Sequence, residues 1–133
     1  MTTRDIRVVC AAIVRDGALL CVRKAGTDLF MLPGGKPEAG EDGLATLHRE
    51  VTEELGCDLH PGSARLLGQY AAPAAHEAGY MVRADIWRAD LSGAPRAQAE
   101  IAELRWVDLH DRTVEPVLAP LLRTQVMPLL RQS

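Results

Sequence analysis

Glu50, Glu53 and Glu54 stand three and four residues apart, with Arg49 beside the first and Glu41 nine positions before it. Pro33-Gly34-Gly35 precedes them and Gly56 follows. Carboxylates packed this closely repel one another unless cations sit among them. Hard cations such as Mg²⁺ take oxygen ligands, and they bind through a few carboxylates plus the phosphates of a substrate. The cluster therefore points to metal-assisted chemistry on a phosphate compound.

These acids need an element to present them. Asp42 to Leu55 reads as a helix with Gly56 at its C-terminal stop. Leu44, Leu47, Val51 and Leu55 form its apolar stripe. At the helical repeat the acid ridge lies about 110° from that stripe. One flank is expected to pack inward while the adjacent flank faces a cleft. Arg49 is expected to point away from both and to orient carboxylates from the side. Glu41 joins the cluster if the preceding loop folds back, and the glycines permit such a loop while leaving carbonyls unshielded. Spacing alone also suits a solvated face, because like charges on an exposed helix cost only about 0.2–0.5 kcal/mol per pair.

The segment Gly35 to Cys57 resembles the signature of the Nudix hydrolase family, G-x5-E-x7-R-E-U-x-E-E-x-G-U with U apolar. Gly35, Glu41, Arg49, Glu50, Glu53, Glu54 and Gly56 match it, and Val51 fills the first apolar position. Cys57 takes the last one, a departure that bears on packing rather than on ligands. The flanks Phe30-x-Leu32-Pro33-Gly34-Gly35 and Glu103-Leu-Arg-Trp106-Val-Asp108 are similar to the family as well.

The resemblance implies an α+β fold, an α/β/α sandwich with a mixed sheet flanked by helices. It implies a hydrolase that cleaves a nucleoside diphosphate linked to another group, with Mg²⁺ or, as a substitute, Mn²⁺. Glu50, Glu53, Glu54 and the Gly35 carbonyl would be metal ligands, and Glu41 a further ligand or a group behind them. Glu50, Glu53 and Arg49 would be the catalytic set, with Arg49 orienting the carboxylates. Glu50 is the first choice for the base that takes the water proton, with Glu100 and Glu103 as alternatives. A sensing module that keeps this fold without catalysis is expected to have lost signature acids, and this chain retains all of them.

Substrate contacts are expected from Arg23, Lys24 and Lys36 on the phosphates and from Phe30 against a base. Trp87 and Trp106 read as core or sheet-face residues. Pro73 lies 16 residues past the signature, near the offset of a proline in relatives that cleave ADP-ribose. Tyr70 and Tyr80 miss the offset of the tyrosine in many dinucleoside polyphosphate hydrolases. The expected substrate is a nucleoside triphosphate or an oxidised or non-canonical nucleotide, with a nucleotide sugar such as ADP-ribose or a dinucleoside polyphosphate as the alternative.

The remaining elements follow from pattern. Ile6 to Val14 and Ala18 to Val22 flank Asp16-Gly17, a hairpin signal. Leu29 to Leu32, Arg65 to Ala72, Tyr80 to Arg88 and Leu104 to Val107 read as strands, and Leu91 to Ala99 as a loop. Val114 to Leu130 has helical spacing interrupted by Pro116, Pro120 and Pro128. This order suggests one domain over residues 1–133, a mixed sheet covered by helices. A net charge of −3 with scattered arginines argues against a duplex nucleic-acid partner. Three cysteines without metal spacing read as free thiols in a reducing compartment. The run Val8 to Val14 is too short to span a bilayer, so a cytoplasmic monomer or homodimer is expected.

Overall fold

The computed structural model describes residues 4–111 and 116–132. Two sheets form its centre. In the first, β1 (Arg4–Ala12) runs parallel to β7 (Tyr80–Arg88), and β6 (Arg65–Pro73) pairs antiparallel with β7. The short β5 (Gly34–Gly35) closes the other edge, with Val9 opposite Gly35 and Cys10 opposite Gly34. In the second, β3 (Ala18–Lys24) pairs along its length with β8 (Ile101–Asp108). Its other edge carries β2 (Val14–Arg15) at one end and β4 (Phe30–Met31) at the other.

The Asp16-Gly17 turn is present, and both residues have positive φ (51° and 77°), as a tight hairpin turn of this kind requires. The hairpin is shorter than the apolar pattern suggests. Only β2 pairs with β3 across the turn, because the chain leaves the first sheet at Ile13 and β1 finds its partners there instead. The single expected sheet is thus two. A second difference is β5: two glycines give no strand signal, and pairing with β1 creates the strand.

Both faces of the central strand segments are covered, which is why residues 8–13 and 19–22 read as unbroken apolar runs. Val9, Ala11, Ile13, Leu20 and Val22 face helix α1 (Gly43–Leu55), meeting Leu47, Val51 and Leu55, all with no exposed surface. Cys10, Ala12, Leu19 and Cys21 face the opposite layer, where Leu122, Val126, Met127 and Leu130 cover them. Burying a Leu or Val side chain is worth about 1.5–3 kcal/mol, so three such anchors fix α1 on the sheet. Leu44 departs from the expected stripe and is 38% exposed. Thr46 and Glu54 are the buried polar residues of the helix instead.

Asp42 caps α1 by accepting from the backbone N–H of Ala45 at 2.8 Å, and Gly56 ends it in the left-handed conformation. The C-terminal segment is a π-helical turn (Leu122–Val126) leading into α2 (Met127–Arg131). Pro128 lacks an N–H, and its ring would crowd the carbonyl four residues back in a regular helix. The wider turn, closed from Met127 N–H to Leu122 O, lies just ahead of it. Val114, where the helical pattern was expected to begin, lies outside the described residues. The Leu-rich stripe packs on the chain's own sheet. Cys10 and Cys21 are buried free thiols, each pushed up to about 12 by burial, and Cys57 is half-buried. No helix among the described residues is long and apolar enough to cross a membrane.

Candidate active site

Two glycines bring the loop against the helix. A Cβ at Gly34 would fall 2.1 Å from the Val9 carbonyl oxygen, so no side chain fits there. A Cβ at Gly35 would fall 2.5–2.7 Å from the carboxylate atoms of Glu50. The backbone of residue 35 and the end of the Glu50 side chain thus share one small space. Both glycines supply close approach, and Gly34 also takes a φ of 153°, where a side chain is strained.

Arg49 does not point away from the acids. Its guanidinium lies among them. Nε and Nη2 donate to the two oxygens of Glu41 at 2.7 and 3.0 Å, a bidentate pair. Nη1 donates to Glu50 Oε1 at 2.7 Å and reaches Glu53 Oε2 at 3.5 Å. Nη2 also holds the Lys36 carbonyl at 3.0 Å. Glu41 accepts further bonds from the Glu38 N–H and the Thr46 hydroxyl. Hydrogen bonding from Arg49 is the first cause that takes the Glu41 carboxyl down to about 2, and Glu41 in turn raises the pKa of Arg49. With both oxygens committed, Glu41 braces Arg49 in this conformation.

Glu50 and Glu54 are the acids of the cluster on which burial acts against charge. Glu54 is 2% exposed, and its Oε1 accepts from the Gly34 N–H at 3.0 Å. Burial pushes its pKa up to about 7, with the charge of Glu50 adding to the rise. Burial likewise raises Glu50, against the pull of Arg49. Glu53 extends toward solvent, its side chain 52% exposed. Among the described residues no three acidic or imidazole side chains converge on one point. Glu50 turns to Arg49 and Glu54 to the Gly34 N–H. The donor set suits a hard divalent ion. Burial acts against charge on both Glu50 and Glu54, which a cation between them would offset, and the Gly35 backbone adjoins Glu50 with no side chain between.

Gly35, Arg49 and Glu50 line a cleft of about 530 Å³. Lys24 and Glu100 stand on its wall, with Lys36 and Glu38 at the loop side. Its apolar lining comes from Ile6, Val8 and Cys10 of β1, Val82 of β7, and Leu121 and Leu122 of the C-terminal segment, with Cys10 directly across from Gly34. Pro73 to Glu77, which connect β6 to β7, border it.

Two expected substrate contacts are not at this cleft. Phe30 is 4% exposed in the core, with the Arg105 guanidinium 5.0 Å from its ring centre, so no face is open to a base. Its partners Val117 and Ala119 fix β4 by backbone bonds and draw the ring inward. Arg23 is held by Glu103 at 3.2 Å and by the Thr27 carbonyl at 3.0 Å. Alternation along β3 turns Lys24 to the cleft in its place. Glu103 is spent on Arg23 and Arg105, whereas Glu100 lines the cleft and its charge is felt at Glu54. Trp106 is a sheet-face residue, 38% exposed, and Trp87 packs in the α1 layer. The apolar wall was missed, because β1, β7 and residues 119–122 meet only in the fold and carry no local motif.

The NUDIX domain family model matches residues 3–126. A MutT NUDIX hydrolase from Burkholderia pseudomallei is 31% identical, over 83% of this chain and 88% of its own, with a TM-score of 0.70. The ORF135 protein of E. coli is 30% identical, over 80% of this chain and 76% of its own, with a TM-score of 0.62. An RNA pyrophosphohydrolase from Halorhodospira halophila is 43% identical over 53 residues, 40% of this chain. That match spans only 28% of the relative's length.

Proposed function

The chain belongs to the Nudix family, and on that premise we propose that it is a divalent-cation-dependent pyrophosphohydrolase acting on a small nucleotide. The observation that carries the reading is the junction of the acid cluster, through Gly35 and Glu50, with a cleft lined by both charged and apolar side chains. About 530 Å³ suits one small molecule. The phosphates would lie against Lys24, Lys36 and Arg49 and the nucleoside against the apolar lining.

Glu50, Glu53, Glu54 and the Gly35 carbonyl would hold Mg²⁺, or Mn²⁺ in its place. Such ions, when bound, neutralise charge on the diphosphate oxygens and acidify water. Arg49 orients Glu50 and Glu53, and Glu41 locks Arg49 by taking both faces of its fork. Lys24 and Lys36 draw in the phosphates. Glu50 remains our first choice of base. Of the two alternatives Glu100 is the better placed, since Glu103 faces Arg23 and Arg105.

Within this class we favour a nucleoside triphosphate or an oxidised or non-canonical nucleotide. The likeness to the MutT NUDIX hydrolase runs through most of both chains, whereas the RNA pyrophosphohydrolase is matched over a short stretch. One observation favours a second substrate, ADP-ribose: Pro73, at the offset noted in the sequence, lies on the cleft wall.

The test is a nucleotide panel with and without Mg²⁺, products identified in water enriched in heavy oxygen. Turnover of a nucleoside triphosphate that is lost in Glu53→Gln supports the reading. Tight nucleotide binding without turnover at any metal concentration would replace it with a sensing role.

A further inference from the structure

Lys24 and Glu100 face each other on the cleft wall, Nζ to Oε1 at 3.4 Å. They arrive from separate elements, the end of β3 and the loop before β8. The loop is built to hold Glu100 there. Its backbone donates from Arg96 to Leu55 O and from Gln98 to Glu54 O, at 2.8 and 3.0 Å, so it is bolted to the last carbonyls of α1. Ala25 N–H grips the Glu100 carbonyl at 2.8 Å. Between these bonds Ala99 sits at φ 54°, a left-handed conformation that alanine seldom adopts. Strain of this kind persists only where the surroundings over-determine it.

The backbone at Glu100 is therefore fixed, while its carboxylate is free to swing. The ion pair that restrains it is long, and the Glu100 side chain is 64% exposed. Pairs in that setting contribute little and exchange readily. Arg49, by contrast, is committed to Glu41 and Glu50 at 2.7–3.0 Å. Lys24 is thus a cleft cation that a polyphosphate can recruit at small cost. Both members of the pair already act on Glu54, with opposite signs.

We propose that Lys24 and Glu100 form a latch: in the free protein Lys24 holds the Glu100 carboxylate, and an arriving diphosphate takes Lys24 and releases Glu100 toward the acid cluster. The inference rests on the proposed function for the identity of the arriving anion. Lys24 is then a positioning residue for Glu100 before the substrate binds, and a phosphate contact afterwards. No bond is made or broken in this step; an ion pair is exchanged.

The probe is imidodiphosphate, a diphosphate without a cleavable anhydride, added with Mg²⁺. Crystals of the complex should show Lys24 Nζ on a probe oxygen and Glu100 beyond ion-pair distance from it. Calorimetric titration of the native chain, Lys24→Met, Glu100→Gln and the double variant supplies a cycle. Glu100→Gln should tighten binding up to about fivefold more in the native background than beside Lys24→Met. Lys24→Arg should restore the coupling. Equal effects in both backgrounds, Lys24 still on Glu100 in the complex, or no binding of the probe would each overturn the latch. The Nudix hydrolase reading fails separately, through absence of turnover on the nucleotide panel.

Discussion

The carboxylate of Glu50 occupies the space that a side chain at residue 35 would fill, 2.5 Å from the Cβ position to Glu50 Cδ. Gly35 lies on a strand and Glu50 on a helix, and each limits the other. The proposed metal site depends on this pair, since the Gly35 carbonyl and the Glu50 oxygens are two of its ligands.

Gly35→Ala is expected to fold and to lose activity. The atoms in conflict are the end of a flexible side chain, so Glu50 can move aside at modest cost in stability. Its carboxylate then leaves the site, and kcat should fall by about 10²-fold or more. Gly34→Ala should behave differently. Its Cβ meets the Val9 backbone, which cannot move without breaking the β1–β5 pairing, so a loss of more than about 2 kcal/mol is expected. Thermal melts beside activity assays separate the two. A Gly35→Ala protein with native turnover would remove the argument.

Arg49→Lys tests the brace. A lysine keeps the charge but cannot bond both oxygens of Glu41 while holding Glu50. Activity is expected to drop about 10–100-fold with little change in melting temperature, the range seen when groups behind metal ligands are altered. Glu41→Gln should share the defect, and the double variant should be scarcely worse than either, because both act through one unit. Additive losses would show that Glu41 acts independently of Arg49.

How far residues could be read from sequence followed how local their causes were. Asp42, the stripe at Leu47, Val51 and Leu55, and Gly56 fixed α1 by short-range rules, and the structure keeps them. Tyr80 to Arg88 was legible for the same reason. What escaped was set at a distance. Glycines 34 and 35 became a strand because β1 offered an edge. Phe30 went into the core because β4 is bonded to residues 117 and 119, and Arg23 was claimed by a glutamate 80 positions away. Arg49 was misplaced by treating a flexible side chain as though it followed its Cα. Only the assembled sheets reveal the apolar lining of the cleft.

Arg23 and Glu103 give a contrasting prediction. Hydrogen bonding from Arg23 is the first cause that holds the Glu103 carboxyl below the ordinary range, with Arg105 helping. A depressed carboxyl stabilises the fold above its unfolded-state pKa, and that stabilisation is lost as pH falls through the folded value. Carboxyl chemical shifts should place the Glu103 titration below that of a free glutamate and move it upward in Arg23→Ala. Neither residue lines the cleft, so kcat/KM should change by less than about threefold in Arg23→Ala. A loss near that of Arg49→Lys would return Arg23 to the substrate contacts.

Glu54 couples the site to stability through pH. Its folded pKa, about 7, lies above the ordinary 4.5 because burial penalises the charged form. For an acid raised in this way the native state binds the extra proton. Stability is complete below the unfolded value and declines as pH rises from about 4.5 through 7. A difference of this size corresponds to roughly 3 kcal/mol at full ionisation. Protein stripped of metal should therefore melt at lower temperature at pH 8 than at pH 5 by several degrees. Added Mg²⁺ should recover most of the difference, because it binds the ionised form, and should do little at pH 5. Glu54→Gln removes the titrating group, so its metal-free melting temperature should be flatter across this window and its response to Mg²⁺ weaker. If the native chain melts alike at both values without metal, or if Glu54→Gln retains the full slope, then Glu54 is not the group that links ionisation, folding and cation binding.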